Sequence, residues 1–314
     1  MKEVFLGEVI RQRRLELGLT QEELCEGICE PMTISRFENG RQTPSRNRTK
    51  ALFQRLGLPD DRFYGLLSAK ELEISNLEKE ITSCHVRFVR AAPEEKNRIR
   101  EETFIKHREL ERVIGKDDTL SRQLILRSKF LLGTENGPYS LDEGLPILLE
   151  AMHLTSPGFD LDSIGRGLYT ENEIKLINNM ANCYIRAERH YDAIDILKPL
   201  LRYLQTKLKN IPPNRAQIPM VAFNYARELE IVKRFDDAIE IAEYARRICI
   251  DYGVYTSLSG ILMILAECYY HQGNQEKSVE LYHQAYYLFK IIEDEDNLAT
   301  IKIEAKKFLG LELN

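Results

Sequence analysis

Apolar residues recur every three or four positions along most of the chain, a spacing that predicts amphipathic helices. The first such pattern includes Leu6, Ile10 and Leu17, with arginines on the opposite side, and Gly18 is placed to end the helix. Further helix and turn patterns follow as far as the C-terminus. The predicted fold class is therefore all-α.

The stretch after Gly18 predicts a helix-turn-helix. Thr20 and Glu23 have the spacing of a capping box, in which each side chain bonds the backbone amide of the other, and the second helix is expected to run to about Ile28. Pro31 suits the first turn of a third helix, and Gly40 follows its end. Two helices joined by so short a turn form a unit that places its second helix in the major groove of DNA.

Two more short helices complete a five-helix head. Ser45 to Leu56 is predicted as the fourth helix and Pro59 to Leu67 as the fifth. We predict a DNA-binding domain over residues 1–68 and a helical repeat domain over residues 69–314.

Charge within the head supports binding to phosphates. The whole chain has a net charge of −5, yet residues 36–55 hold six Lys and Arg against Glu38 alone. The six are Arg36, Arg41, Arg46, Arg48, Lys50 and Arg55. An ordinary solvated face is the alternative interpretation. We expect Glu38 to form an ion pair with Arg14, while Ser35 can face DNA or bond its own helix.

Residues 69–314 carry 33 Lys and Arg against 39 Asp and Glu, which argues against a second nucleic-acid surface. The helix predicted from Ala69 to about Arg90 has an apolar seam that fits either a paired coiled coil or the first helix of an array. Three later segments align with one another and place small residues at matching positions, as in tetratricopeptide repeats of stretched period. These positions are Ala181, Ala226 and Ala266; Ala193, Ala238 and Ser278; and Ala245 and Ala285.

This spacing predicts a tetratricopeptide-like α-solenoid of about five hairpins. The two earlier hairpins are expected at about 69–113 and 118–155, and Leu298–Leu309 is predicted as a capping helix. The tyrosines of the last hairpin fit packing between hairpins better than a binding cage; they are Tyr269, Tyr270, Tyr282, Tyr286 and Tyr287.

First helices of such hairpins line a concave groove, and counting from Ala181 places Asn178 and Asn182 on it. A side-chain amide can bond both the N–H and the C=O of an extended peptide. Asn224 lies near the same line on the next hairpin, with Arg227 beyond it. Ordinary exposure on a helix is the alternative.

Several classes of protein are not indicated. No apolar run approaches the roughly 20 residues of a membrane span, and the N-terminus has no apolar signal core, so a cytoplasmic location is expected. The six cysteines include no CxxC pair, and no metal site or cofactor is predicted. We find no phosphate loop or nucleophile motif, and no enzyme activity is expected.

The head resembles the helical DNA-binding domain of phage repressors and xenobiotic-response-type regulators. The resemblance lies in GLTQEEL at Gly18–Leu24 and ISRFENG at Ile34–Gly40. It implies that Gln21 contacts a phosphate and that Met32, Thr33 and Arg36 face base edges, with Arg36 able to bond guanine through two hydrogen bonds. Arg41 is expected on the phosphate-contacting edge.

Taken whole, the chain resembles the peptide-responsive regulators of Gram-positive bacteria, the Rap–Rgg–NprR–PlcR–PrgX group, and especially the PlcR type. Domain order carries this likeness, together with NNMANCY at Asn178–Tyr184 and FNYA at Phe223–Ala226. It implies a quorum-sensing-type transcriptional regulator that binds operator DNA and a short signal peptide, the latter through Asn178, Asn182 and Asn224, and that forms a homodimer. The alternative is a scaffold whose groove holds the tail of a partner protein.

Overall fold

The computed structural model describes residues 6–58, 69–91, 93–208 and 217–313. Within these ranges the protein is helical, and the one extended pairing is an isolated bridge between Thr134 and Gly137. The all-α prediction is therefore confirmed. The predicted fifth helix of the head, Pro59 to Leu67, lies outside the described residues.

Fifteen α-helices and one 3₁₀ helix, Leu161–Arg166, make up the described part of the chain. The α-helices are α1 Leu6–Glu16, α2 Gln21–Cys25, α3 Pro31–Glu38, α4 Arg46–Arg55, α5 Ala69–Arg90, α6 Pro93–Val113, α7 Thr119–Leu132, α8 Leu141–His153, α9 Glu171–Arg186, α10 His190–Lys207, α11 Ile218–Ile231, α12 Phe235–Tyr252, α13 Tyr255–His271, α14 Gln275–Ile291 and α15 Glu295–Leu309. Among the helices described, none has the combination of length and hydropathy that a bilayer span requires. The chain divides into two compact units, Met1–Cys183 and Tyr184–Asn314.

Local signals in the head act as predicted. The Glu23 amide donates to Thr20 Oγ1 at 3.1 Å, and the Thr20 amide donates to Glu23 Oε2 at 2.6 Å, which closes the capping box. Pro31 begins α3. The second helix ends at Cys25 rather than near Ile28, because Gly27 takes a left-handed conformation at φ +67°.

The apolar core of the head lies between its four described helices. Its buried members include Ile10, Leu24, Ile34 and Leu52 from α1, α2, α3 and α4. A Cβ on Gly7 would lie 1.9 Å from the Phe37 carbonyl oxygen, so α1 and α3 approach each other with no room for a side chain.

The apolar seam of α5 packs within the chain. Ile74 and Ile81 are buried against Leu110 on α6 and Ile125 on α7. Ile114, which directly follows α6, belongs to the same cluster. The interpretation of this helix as the first of the array is thus the one observed. The predicted hairpins at about 69–113 and 118–155 correspond to the pairs α5–α6 and α7–α8.

The aligned small positions of the repeats are buried. Ala226, Ala238 and Ala266 have no solvent exposure, and Ser278 donates its hydroxyl to the Ala266 carbonyl at 2.7 Å. This bond explains why a serine can replace alanine at that position. The capping helix α15 begins at Glu295, three residues earlier than predicted.

Tyrosines of the last hairpin follow the core interpretation only in part. Tyr282 and Tyr286 are buried, and Tyr269 and Tyr270 are half-buried. Tyr287 is 54% exposed, so the prediction was wrong for that residue. It stands next to Tyr286 on α14 and therefore points to a different side of the helix.

Arg55 joins the head to the array inside the first unit. It is 3% exposed, and its Nη1 donates to the carbonyls of Leu24 at 3.1 Å and Glu26 at 2.7 Å. Its Nη2 donates to the Thr155 carbonyl at 2.7 Å and to Glu173 Oε1 at 3.3 Å. Arg55 was expected on the phosphate-contacting edge, and this expectation was wrong because the guanidinium is buried against the array.

The head and the array pack closely around this docking contact (Arg55, Thr155 and Glu173). A Cβ on Gly27 would lie 2.1 Å from the Thr155 carbonyl oxygen. The Thr119 hydroxyl donates to the Gly27 carbonyl at 2.8 Å. The head is therefore held by specific contacts to the array.

The docking contact predicts a large loss of stability when Arg55 is removed. Arg55→Ala leaves the Glu173 carboxylate, which has no solvent exposure, without its cationic partner, so the free energy of unfolding should fall by about 3–5 kcal/mol. Chemical denaturation monitored by circular dichroism measures this. The exposed Arg41→Ala is the matched control and should change stability by less than about 0.5 kcal/mol. Equal effects of the two variants would show that the docking contact contributes little.

Two buried histidines link three helices of the first unit through one hydroxyl. His85 Nε2 on α5 lies 2.5 Å from Ser128 Oγ on α7, and His107 Nε2 on α6 lies 2.8 Å from the same atom. Burial lowers the pKa of His85 to about 3 and that of His107 to about 4, with repulsion from Arg127 adding to the effect at His85. Both rings are neutral at physiological pH.

This arrangement predicts acid lability. Between pH 6.5 and about 4 the two histidines are protonated in the unfolded chain but stay neutral in the folded chain. The free energy of unfolding therefore falls as pH falls through this window, by up to about 1.4 kcal/mol per pH unit for each histidine. Unfolding midpoints measured across that pH range test it. His107→Gln should flatten the profile, and an unchanged slope in that variant would contradict the assignment.

Candidate DNA-binding surface and peptide-binding residues

Helix α3 presents its predicted reading side to solvent. Met32 is 62% exposed, Arg36 is exposed and Thr33 is half-buried, whereas Ile34 and Phe37 are buried in the core of the head. The helical spacing of the two apolar residues thus decides which side remains outside. Contact of the outer residues with bases stays a prediction.

At the C-terminal end of this helix, Glu38 forms a charged network with Arg14 and Gln21. Arg14 Nε and Nη2 donate to Glu38 Oε1 and Oε2 at 2.7 and 2.9 Å, and the predicted ion pair is confirmed. The bond to Glu38 raises the pKa of Arg14. Because Arg14 neutralises it, Glu38 adds little repulsion toward an approaching phosphate.

Gln21 is held by the same carboxylate. Its Nε2 donates to Glu38 Oε2 at 2.8 Å, which orients the side chain at the first residue of α2. An amide nitrogen carries two hydrogens, so one can bond Glu38 while the second is offered to a ligand. Helix N-termini bind phosphates through backbone N–H groups, so the position of Gln21 at the first residue of α2 is compatible with the predicted phosphate contact.

The basic edge of the head is smaller than predicted. Arg41 and Lys50 are exposed, and Arg46 and Arg48 are half-buried, but Arg55 belongs to the docking contact. Sequence reasoning missed this role because the burial of Arg55 depends on Thr155 and Glu173, which lie about a hundred residues further along the chain.

The candidate peptide-binding residues lie on α9 and α11. On α9, Asn178 is 2% exposed and Asn182 is half-buried one turn later. On α11, Asn224 and Arg227 are half-buried. The first pair belongs to one compact unit and the second pair to the other, and each is described within its own unit.

Arg227 lies in a cluster that sequence reasoning did not find. Its guanidinium contacts Glu267 at 2.7 Å, Glu230 at 3.5 Å and Glu304 at 3.9 Å. One signal was present: Arg227 and Glu267 each follow the aligned alanine of a first helix, at the position that Asn182 occupies after Ala181. Glu304 and Tyr282 gave no comparable signal.

Comparison with known proteins bears on the head first. Residues 6–63 match the family model described as a helix-turn-helix domain. The head is a helix-turn-helix domain. This agrees with the capping box, the short turn and the exposed outer side of α3. No curated protein matches the chain in sequence.

Solved structures resemble nearly the whole chain. Bacillus thuringiensis PlcR in complex with the peptide PapR7 and DNA has 18% identity and a TM-score of 0.57, covering 95% of this chain and 98% of its own. The apo form of the same PlcR has 16% identity and a TM-score of 0.54, covering 94% and 98%. The competence regulator ComR from Streptococcus vestibularis has 15% identity and a TM-score of 0.48, covering 96% and 97%. At these identities the likeness to PlcR is one of fold, and the predicted resemblance to PlcR-type regulators is confirmed.

The outer side of α3 predicts separate effects for two arginines. Arg36→Ala should reduce discrimination among operator variants by about 1–3 kcal/mol, because a guanidinium that bonds one guanine through two donors is lost. Arg41→Ala is the matched control and should weaken binding to all sequences alike, with a lower salt dependence. Fluorescence anisotropy on a panel of operator variants measures both. If the two variants behave identically, Arg36 does not read bases.

Proposed function

We propose that this protein is a quorum-sensing-type transcriptional regulator, which binds operator DNA through its head and responds to a short signal peptide bound by the repeats. One observation supports this most strongly. A helix-turn-helix domain is continuous with helical hairpins in a chain whose fold is similar, over 95% of its length, to PlcR in complex with a peptide and DNA.

Packing inside the first unit supports a coupling between the two activities. Helix α9 contributes Glu173 to the docking contact with the head, and the same helix carries Asn178 and Asn182. At 1.5 Å per residue, Asn178 lies only about 7.5 Å along the helix from Glu173. A peptide that moves α9 therefore acts directly on the element that positions the head.

The backbone at the start of α9 strengthens this link. The Glu171 amide donates to the Gln54 side chain of the head at 2.9 Å. Glu173 Oε2 accepts the Thr170 amide at 2.6 Å, so its carboxylate is fixed to the first turn of the helix. A ligand shifts such an equilibrium by its difference in affinity for the two states, typically about 1–3 kcal/mol.

The proposal includes a homodimer. Two heads, one from each protomer, would read the two half-sites of a palindromic operator, and the pairing would add the phosphate contacts of both. Signal peptide and operator are the two ligands, and the basic residues of the head and the amides of α9 are the groups assigned to them.

The proposal predicts that substitutions in the peptide site remove the response to peptide without removing binding to operator DNA. The purified chain should select a specific sequence from random duplexes, and a peptide from culture supernatant of the source organism should change its affinity for that sequence. Asn178→Ala with Asn182→Ala should abolish the change, because the amides that pair with the peptide backbone are lost, while basal operator binding persists. Anisotropy titrations with and without peptide measure this.

Asn136→Ala, an exposed amide in the loop between α7 and α8, is the matched control and should keep the full response. Failure to select any sequence would refute the regulator. A full peptide response in the double variant would instead remove the two asparagines from the peptide site.

A further inference from the structure

We propose that Arg227, Glu230, Glu267, Glu304 and Tyr282 form a binding site for a primary ammonium group of the signal peptide. This inference rests on the proposed function, since it assigns the chemistry of one part of the peptide. The five residues will be called the acidic cluster, and all of them belong to the second compact unit.

Negative charge in the acidic cluster exceeds positive charge. Three carboxylates, those of Glu230, Glu267 and Glu304, surround the single guanidinium of Arg227 at 2.7 to 3.9 Å. The Glu267 side chain is 3% exposed and that of Glu230 is 11% exposed, so water compensates this excess poorly. A cation is the ligand that such a site favours.

Glu267 Oε1 and Glu304 Oε2 accept no hydrogen bond from any other described residue, and the two carboxyl groups share the proton that Glu267 holds. The third oxygen, Tyr282 Oη, has no hydrogen-bond partner in the described part of the chain. Tyr282 has no solvent exposure, and burial, followed by the nearby carboxylates of Glu267 and Glu304, raises the pKa of its hydroxyl. Since a buried hydroxyl without a partner costs free energy, this unsatisfied group is a second indication of a ligand, independent of the carboxylates.

The three oxygens suit an ammonium group better than other cations. An alkylammonium carries three donors on one nitrogen and can bond three separate side chains. A guanidinium prefers both oxygens of one carboxylate, and Arg227 already occupies Glu267 Oε2. Among the described residues, no group of His, Cys, Asp and Glu has the arrangement of a metal site.

Without a ligand, the cluster retains a proton. Burial raises the pKa of Glu267 to about 9. The hydrogen bond between Glu267 and Glu304 and the repulsion between these two carboxyl groups act in the same direction. The ammonium group of a bound peptide would supply the missing positive charge. We therefore expect Glu267 to lose its proton when the peptide binds. The other titratable groups facing this region are Glu228, Cys268 and His271.

The position of the cluster agrees with its proposed role. Arg227 on α11 and Glu267 on α13 follow the aligned alanines Ala226 and Ala266, and Glu304 belongs to α15. Helices α11 and α13 are the first helices of successive repeats, which line the concave face of a tetratricopeptide-like solenoid, and α15 is the capping helix that follows them. Tyr282 comes from α14, a second helix, and is fully buried.

Three peptide libraries test the proposal with the full chain. One library has free N-termini and no lysine, and the other has acetylated N-termini and contains lysine; a third, acetylated and without lysine, has no primary amine. Mass spectrometry of retained peptides should show selection from the first or the second library, and that difference identifies the N-terminus or lysine as the source. The third library should be retained about ten- to a hundredfold less, as for a lost bond to a charged group.

Two variants separate a binding role from a structural one. Glu267→Gln keeps an oxygen that can accept from Arg227 and gains an amide that can donate to Glu304, so it mimics the protonated state of the cluster without ligand. Tyr282→Phe removes only the hydroxyl. Both should fold and lose the preference for amines. Glu243→Gln, on the second helix α12, is the matched control and should retain it.

Calorimetry in buffers of different ionisation enthalpy supplies an independent readout. At neutral pH the wild-type chain should release about one proton for each selected peptide bound, and Glu267→Gln should release none. Equal retention of the amine-free library would overturn the ammonium site while leaving peptide binding intact. Retention of no peptide from any library would overturn the proposed peptide response and the ammonium site together.

Discussion

The charge of Arg55 is buried where the helix-turn-helix head meets the helical array, and the structure of the first unit depends on how that charge is compensated. Three backbone carbonyls and the Glu173 carboxylate accept its hydrogens. A buried ion needs such partners because removing it from water costs several kcal/mol, and here Nη1 and Nη2 have them while Nε has none among the described residues. The head therefore cannot shift against α9 without separating a buried pair, and this constraint converts two helical parts into one compact unit.

Buried charge is handled differently in the two units. In the head, Arg14 and Glu38 satisfy each other through two hydrogen bonds, and the pair also orients Gln21. In the second unit, Arg227 faces more carboxylates than it can neutralise, and burial leads Glu267 to retain a proton. The first arrangement has matched charges and supports the fold, whereas the second has an excess of carboxylates and a buried Tyr282 hydroxyl without a partner among the described residues. That difference is the reason to assign structure to one and ligand binding to the other.

The proposed function requires that peptide binding at the repeats change the position of the head. Helix α9 provides a physical route, because Glu173 near its start holds Arg55 and the asparagines lie on its following turns. A packed helix moves as a body, and the close approach of Gly27 to Thr155 leaves little space for independent movement of the head. The proposed regulation thus needs no flexible linker between the two parts.

Local sequence by itself determined much of the architecture. The capping box at Thr20, the proline that begins α3 and the small residues of the repeats act through neighbours within a few turns, so their effects can be read along the chain. Tertiary structure alone decided that Arg55 is a docking residue rather than a phosphate contact, and that Arg227, Glu267 and Glu304 meet. These outcomes depend on residues between about 40 and 118 positions apart, whose encounter is set by the packing of whole helices. The repeat pattern places Arg227 and Glu267 at the same position after Ala226 and Ala266, but it does not show that their side chains meet.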